Sequence, residues 1–205
     1  YELKKIVKSK EPIQVLLSFN QNKIFNWAQS YENISSYYLE GLNLENFNNF
    51  EIEEFISIFY LTEILNEEGF DKFKFSNSDT NKVNSLRKWR NKLQNKLIDD
   101  FTEVERFDLH KELENILPAF ILYLPPKFHN IWLKRWLDKS DKLFHPQNFL
   151  NGNTLKKFIQ VQDGPLLGNI LNYISREFAF DRIESFDEAI YKAEKWFQQN
   201  APKYD

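Results

Sequence analysis

The sequence predicts an all-α fold, with a multi-helical body over residues 1–140 and a small C-terminal helical tail over residues 141–205. Three observations predict it. Apolar residues recur at three- and four-residue intervals in segment after segment, the spacing that places them on one face of a helix. Strand-like alternation is nowhere sustained. Gly-Pro and Pro-Pro pairs punctuate the periodic runs, and the composition between residues 138 and 147 suits a boundary between body and tail.

Composition narrows the function classes. At 205 residues the chain can bury a genuine core. Its net charge of −3 gives no global attraction to nucleic acid, so any such binding must come from local patches. Cysteine is absent, which excludes disulfides, thiolate zinc sites and thiol nucleophiles. No run of eighteen apolar residues and no signal peptide is visible, so a membrane partner is not expected and the cytoplasm is. There is no methionine, and the chain opens in mid-pattern with Tyr1-Glu-Leu-Lys-Lys-Ile-Val, which reads as a fragment of a longer protein. The few glycines form no phosphate-binding loop.

In order, Leu3, Ile6 and Val7 read as the end of a helix. Pro12 opens the next, with Val15, Leu16, Phe19, Ile24, Trp27 and Ala28 as its apolar face, an interruption at Asn20-Gln21-Asn22 and a stop at Gly41. Ile52 to Leu65 is a helix carrying Phe55, Ile56, Phe59, Tyr60 and Ile64, with glutamates in its first turn and a solvated acidic face opposite. Asn66-Glu-Glu-Gly69 closes it. Ser76 then N-caps a basic helix, with Asp79 placed to reach back as in a capping box.

Charge segregates across these two helices. No lysine or arginine occurs from Ile24 to Asp71, whereas Lys82, Arg87, Lys88, Arg90, Lys92 and Lys96 follow with no intervening acid. Such a helix can lie on a phosphate backbone, dock on the acidic helix before it, or face water. Beyond it, Phe101, Val104, Phe107 and Leu109 anchor a polar stretch. An apolar run to Leu124 contains Pro118, which kinks a helix or starts a second, and stops at Pro125-Pro126. Residues 128–137 form an aromatic helix carrying Lys134 and Arg135, its tryptophans read as core.

The tail opens on Phe149-Leu-Asn-Gly-Asn-Thr-Leu-Lys-Lys-Phe158. Leu155, Phe158 and Ile159 predict a short helix from about Thr154, ended by Asp163-Gly164-Pro165. Gly164 can take the left-handed conformation and Pro165 suits a first helical position. Leu166, Leu167, Ile170, Leu171 and Ile174 form the stripe of that second helix. Gly168 is placed on the same side, where a missing side chain would admit another backbone. A last helix runs from about Asp187 to Phe197.

No catalytic constellation emerges. The histidines His110, His129 and His145 stand in unlike contexts, with no His-Asp pair, no nucleophile elbow and no distinguished carboxylate pair.

The ordered phrases Pro146, Leu150-Asn-Gly152, Leu155 and Gly164-Pro165-Leu166-Leu167-Gly168 resemble the C-terminal region of bacterial tRNA nucleotidyltransferases (CCA-adding enzymes) of the poly(A) polymerase type. There a P…L-x-G-x-x-L phrase precedes GP-x-[LI]-G-x-x-L. Phe73-Lys-Phe75-Ser76-Asn77 is similar to the family's L-x-[LF]-S-N entry to a helix with a central R-W pair, here separated as Arg87-Lys-Trp89.

The resemblance implies that catalysis lies elsewhere, in a head domain carrying Asp-x-Asp, which this sequence lacks. Magnesium and CTP or ATP would belong to that head, and no cofactor to this chain. It implies body plus tail, holding tRNA from the acceptor and TΨC side without catalysing. The alternative is a helical protein-interaction module.

For RNA binding the candidates are Lys82, Arg87, Lys88, Arg90 and Lys92 in the body. In the tail they are Lys156, Lys157 and Arg176, with Gly164 and Gly168 at a helix N-terminus open to a phosphate. Against them stand Asp163, read as that helix's N-cap, and a tail with seven basic and eight acidic residues from Pro146 onward. The Asp163–Gly168 phrase also reads as a packing turn alone. Lys88→Glu with Arg90→Glu is expected to weaken tRNA binding with helicity intact. Gly168→Leu is expected to destabilise the tail by ~1–3 kcal/mol.

Overall fold

The computed structural model describes residues 2–7, 15, 18, 22 and 49–200. The readings of Pro12, the face from Val15 to Ala28, the break at residues 20–22 and the Gly41 stop lie outside the described residues, save for Val15, Ser18 and Asn22. Among the described residues every regular element is a helix. The chain divides into an N-terminal unit (residues 1–101 and 112–138) and a C-terminal unit (102–111 and 139–205).

In the N-terminal unit, α1 (Glu2–Val7) and α2 (Asn49–Ile64) pack together, Leu3 and Val7 being buried. The expected solvated face of α2 is missing over its second half. Ser57, Ile58, Phe59, Tyr60, Leu61, Thr62 and Glu63 are all buried, because further helices cover the sides that the apolar stripe leaves. Burial pushes the Tyr60 hydroxyl up to about 12.

Asn66 begins a helix and does not close one. Its side chain accepts from the Gly69 N–H at 2.8 Å, capping α3 (Glu67–Phe73) and leaving Gly69 buried inside it. The chain leaves α3 through Lys74 in the left-handed conformation.

Ser76 caps α4 (Asn77–Asn95), accepting from the Asp79 N–H at 3.1 Å, while its hydroxyl donates to the Asp79 carboxylate at 2.7 Å. Val83, Leu86 and Trp89 form the buried face of α4, which packs on α2. Pro118 takes the second alternative and starts α6 (Leu117–Ile121), after the 3-10 turn Glu114–Ile116. Pro126 starts α7 (Pro126–Leu137) in the same way. Trp89 and Trp136 are core residues, and the Trp136 indole donates to the Glu114 carbonyl at 2.7 Å.

In the C-terminal unit, Thr102 opens α5 (Glu103–Leu113), whose last two residues belong to the N-terminal unit, with a capping box. Its hydroxyl accepts from the Glu105 N–H at 3.2 Å and its own N–H donates to the Glu105 carboxylate at 2.7 Å. Phe107 and Leu109 are buried, but Val104 is 46% exposed and anchors nothing. His110 stacks on Phe144, ring centroids 4.2 Å apart.

Next, α8 (Gly152–Ile159) starts two residues before Thr154, capped by the Asn151 side chain, which accepts from the Thr154 N–H at 2.9 Å. It ends at Gln160 in the left-handed conformation (φ 54°), a role that Gly164 does not take. Gly164 sits at φ 151° and ψ −174°, a region essentially restricted to glycine, and precedes α9 (Pro165–Ala179). It is also the N-cap position, in place of Asp163. Leu167, Ile170 and Ile174 of α9 are buried against Leu155, Ile183 and Ala189, each large side chain contributing roughly 1.5–3 kcal/mol of hydrophobic stabilisation. Leu166 and Leu171 pack at the edge. Gly168 faces outward, and a Cβ there would meet no atom within 4 Å, so the close packing expected of it is absent. The last helix is α10 (Phe186–Asn200).

Candidate nucleic-acid interface

The cations of α4 are largely committed within the N-terminal unit. Lys82 pairs with Glu54 of α2. Arg87 donates to the Leu65 carbonyl and lies 5.2 Å from the Phe70 ring centroid. Burial, then the neighbouring Arg90 guanidinium, lower its pKa. Arg90 bonds Glu63 at 2.8 Å, and the Tyr123 hydroxyl donates to the same carboxylate at 2.7 Å. Burial, with Glu63 beside it, holds the Tyr123 hydroxyl well above its ordinary range. Lys88 and the Trp89 indole both bond Glu112, and Lys92 lies 4.9 Å from the Trp89 ring centroid. Docking on the acidic helix, one of the roles open to this basic run, is thus where Lys82 and Arg90 are spent.

In the C-terminal unit Lys156 pairs with Asp163 at 2.7 Å, bracing the turn between α8 and α9. Lys157 is exposed, as are Gly164 and Gly168 beside the start of α9. Arg176 is half-buried, 5.8 Å from the Tyr173 ring centroid.

Sequence reasoning missed a charge cluster on α5, α9 and the connection to α10. Arg182 bonds Glu103 of α5 and Glu177 of α9, the latter at 3.1 Å, and Lys192 of α10 bonds Glu177 at 3.0 Å. Its bond to Arg182 is the main reason that Glu103 sits below its ordinary pKa, and the charges of Arg176 and Arg106 add to it. Arg182 is thus paired with two carboxylates, Glu103 and Glu177, and the positive charges of Arg176 and Arg106 lie close enough to act on Glu103. Glu103 and Arg182 lie 79 residues apart, so no spacing rule could join them.

The sign of the resulting pH dependence follows from linkage. A carboxylate lowered in the folded state contributes stability above its ordinary value of 4.5, and loses it as the pH falls through the lowered value. The melting-temperature gap between the unaltered chain and Glu103→Gln is expected to close as the pH falls from about 6 to about 3. A gap constant over that range would exclude Glu103.

Among the described residues no group of histidines and carboxylates could hold a metal ion, and no helix is long and apolar enough to cross a membrane. A CC-adding tRNA nucleotidyltransferase from Synechocystis is 30% identical over 91 residues, covering 41% of this chain and 22% of that protein. The chain is distantly and partially similar to a tRNA nucleotidyltransferase. It spans only about a fifth of that relative's length. No family model matches the chain, and no solved structure matches it.

Proposed function

We propose that this chain is the tRNA-holding C-terminal region, body and tail, of a tRNA nucleotidyltransferase acting in the cytoplasm. It grips the acceptor and TΨC side of tRNA while a separate head adds CCA, CC or A, and alone it does not catalyse. The observation that carries the reading is the 30% identity to the CC-adding enzyme. Binding would rest on Lys156, Lys157 and Arg176, extended by Arg106, and on the glycine-flanked start of α9. Lys82, Arg87 and Arg90 hold helices together before they could reach RNA.

Filter binding with unmodified tRNA tests this. Affinity of about micromolar or tighter is expected, falling steeply with salt as phosphate contacts release counterions. Changing the anticodon should leave it unaltered. No binding at low salt would reject the reading.

A second reading, a protein-interaction module, is favoured by one observation. Phe158 and Phe186 pack edge to face with centroids 5.5 Å apart, yet are 53% and 43% exposed. A tight protein complex without RNA affinity would select it.

A further inference from the structure

We propose that Tyr173, Trp196 and Arg176 form a stacking platform for an unpaired RNA base, on the face of the C-terminal unit made by α9 and α10. The inference rests on the tRNA reading above and names the part of the RNA that this unit grips: the unstacked nucleotides of a loop, not the duplex.

The geometry is that of a stacked ladder. The Tyr173 and Trp196 rings lie 27° from parallel with centroids 6.1 Å apart, an offset stack. Both rings flank the core of this unit and stay only partly buried. Arg176 stands one turn after Tyr173 on α9, with its guanidinium carbon 5.8 Å from the Tyr173 centroid. Aromatic faces bind bases of any identity by stacking, and a guanidinium beside them adds cation–π attraction and a phosphate contact.

The surroundings suit an anion more than an apolar partner. Arg176 acts on Glu103 together with Arg106 and Arg182, and Arg182 also pairs with Glu177 beside Arg176 on α9. Lys111 of α5 bonds the exposed Asn172, which adjoins Tyr173 on α9. Bases inside an A-form duplex are stacked on one another and cannot reach such a surface, whereas a loop can splay one out. The more exposed Phe158–Phe186 pair has no arginine cluster around it. Each of its two rings packs on the other.

The test uses the whole chain with tRNA, a hexauridylate and a duplex RNA of the same length. Tyr173→Leu and Trp196→Leu, which keep apolar bulk at the core edge, should each weaken tRNA binding about tenfold or more. Tyr173→Phe should retain affinity, and Phe158→Ala should leave it unchanged. The hexauridylate should quench tryptophan fluorescence in the unaltered chain, the duplex should not, and Trp196→Phe should abolish the quenching while still binding. The quenching experiment stands even where the leucine variants fold poorly. Unaltered tRNA affinity in both leucine variants, or quenching that survives Trp196→Phe, would overturn the platform and leave the tRNA reading in place. Absence of tRNA binding by the unaltered chain would overturn the tRNA reading and the platform together.

Discussion

Replacing Arg90 with alanine should lower the stability of the N-terminal unit by about 3–5 kcal/mol, the cost of leaving a buried charge without its partner. The side chains of Arg90 and Glu63 are only 12% and 7% exposed, so water cannot take over from the lost bond. Glu63 would keep the Tyr123 hydroxyl, a neutral donor, against a full negative charge. In a chain of this size the loss corresponds to a fall of roughly 10 °C in melting temperature. Replacing all three groups by apolar ones, Arg90→Met with Glu63→Leu and Tyr123→Phe, should recover much of it, because neither a charge nor the Tyr123 hydroxyl is then left without its partner. A single variant as stable as the unaltered chain would show that the pair is solvated. Lys88→Ala is the contrast: its Glu112 pair is 57% and 35% exposed, and such surface pairs contribute about 0–1 kcal/mol. The variant combining Lys88→Glu with Arg90→Glu, expected from sequence to keep its helicity while losing RNA, would instead set two carboxylates together in the core. It therefore tests folding, not RNA contact.

The second large effect separates two glycines that the sequence treats alike. Gly164→Ala should destabilise the C-terminal unit by about 1–3 kcal/mol, because its φ of 151° is a region that a Cβ excludes. Gly168→Ala should instead stabilise by about 0.5–1 kcal/mol, since the site is open helix and alanine loses less entropy there. The expectation that Gly168 is a packing glycine therefore reverses sign. Thermal melts of the two variants decide it, and equal effects would contradict the backbone geometry of the α8–α9 turn.

Much of the fold was legible because helices announce themselves locally. The period of Val83, Leu86 and Trp89, the Ser76 cap and Pro165 at a first helical position are matters of a few neighbouring residues. Thr102-Glu-Val-Glu105 is a capping-box phrase of the same local kind. At Asn66 the local signal is ambiguous, because a polar run with glycine suits a helix stop and a helix start equally well.

The candidate site was much less legible. That α4 is basic is plain from its composition, but which partners its cations meet is not. Glu112 lies 24 residues from Lys88 and Glu63 lies 27 from Arg90. Likewise nothing in the chain before folding brings Arg106 near Arg176 and Arg182, or sets the Tyr173 ring against that of Trp196.

By itself, then, the sequence determined the helical class, most helix starts and stops, and the phrases around Gly152 and Gly164 that carry the resemblance. These follow from backbone preferences and periodicity acting over one or two turns. Tertiary structure alone decided which charges are paired and buried, which glycine is strained and which aromatic rings stack. Those outcomes depend on burial and on Coulomb interactions between residues far apart in the chain, and neither exists until the helices have packed.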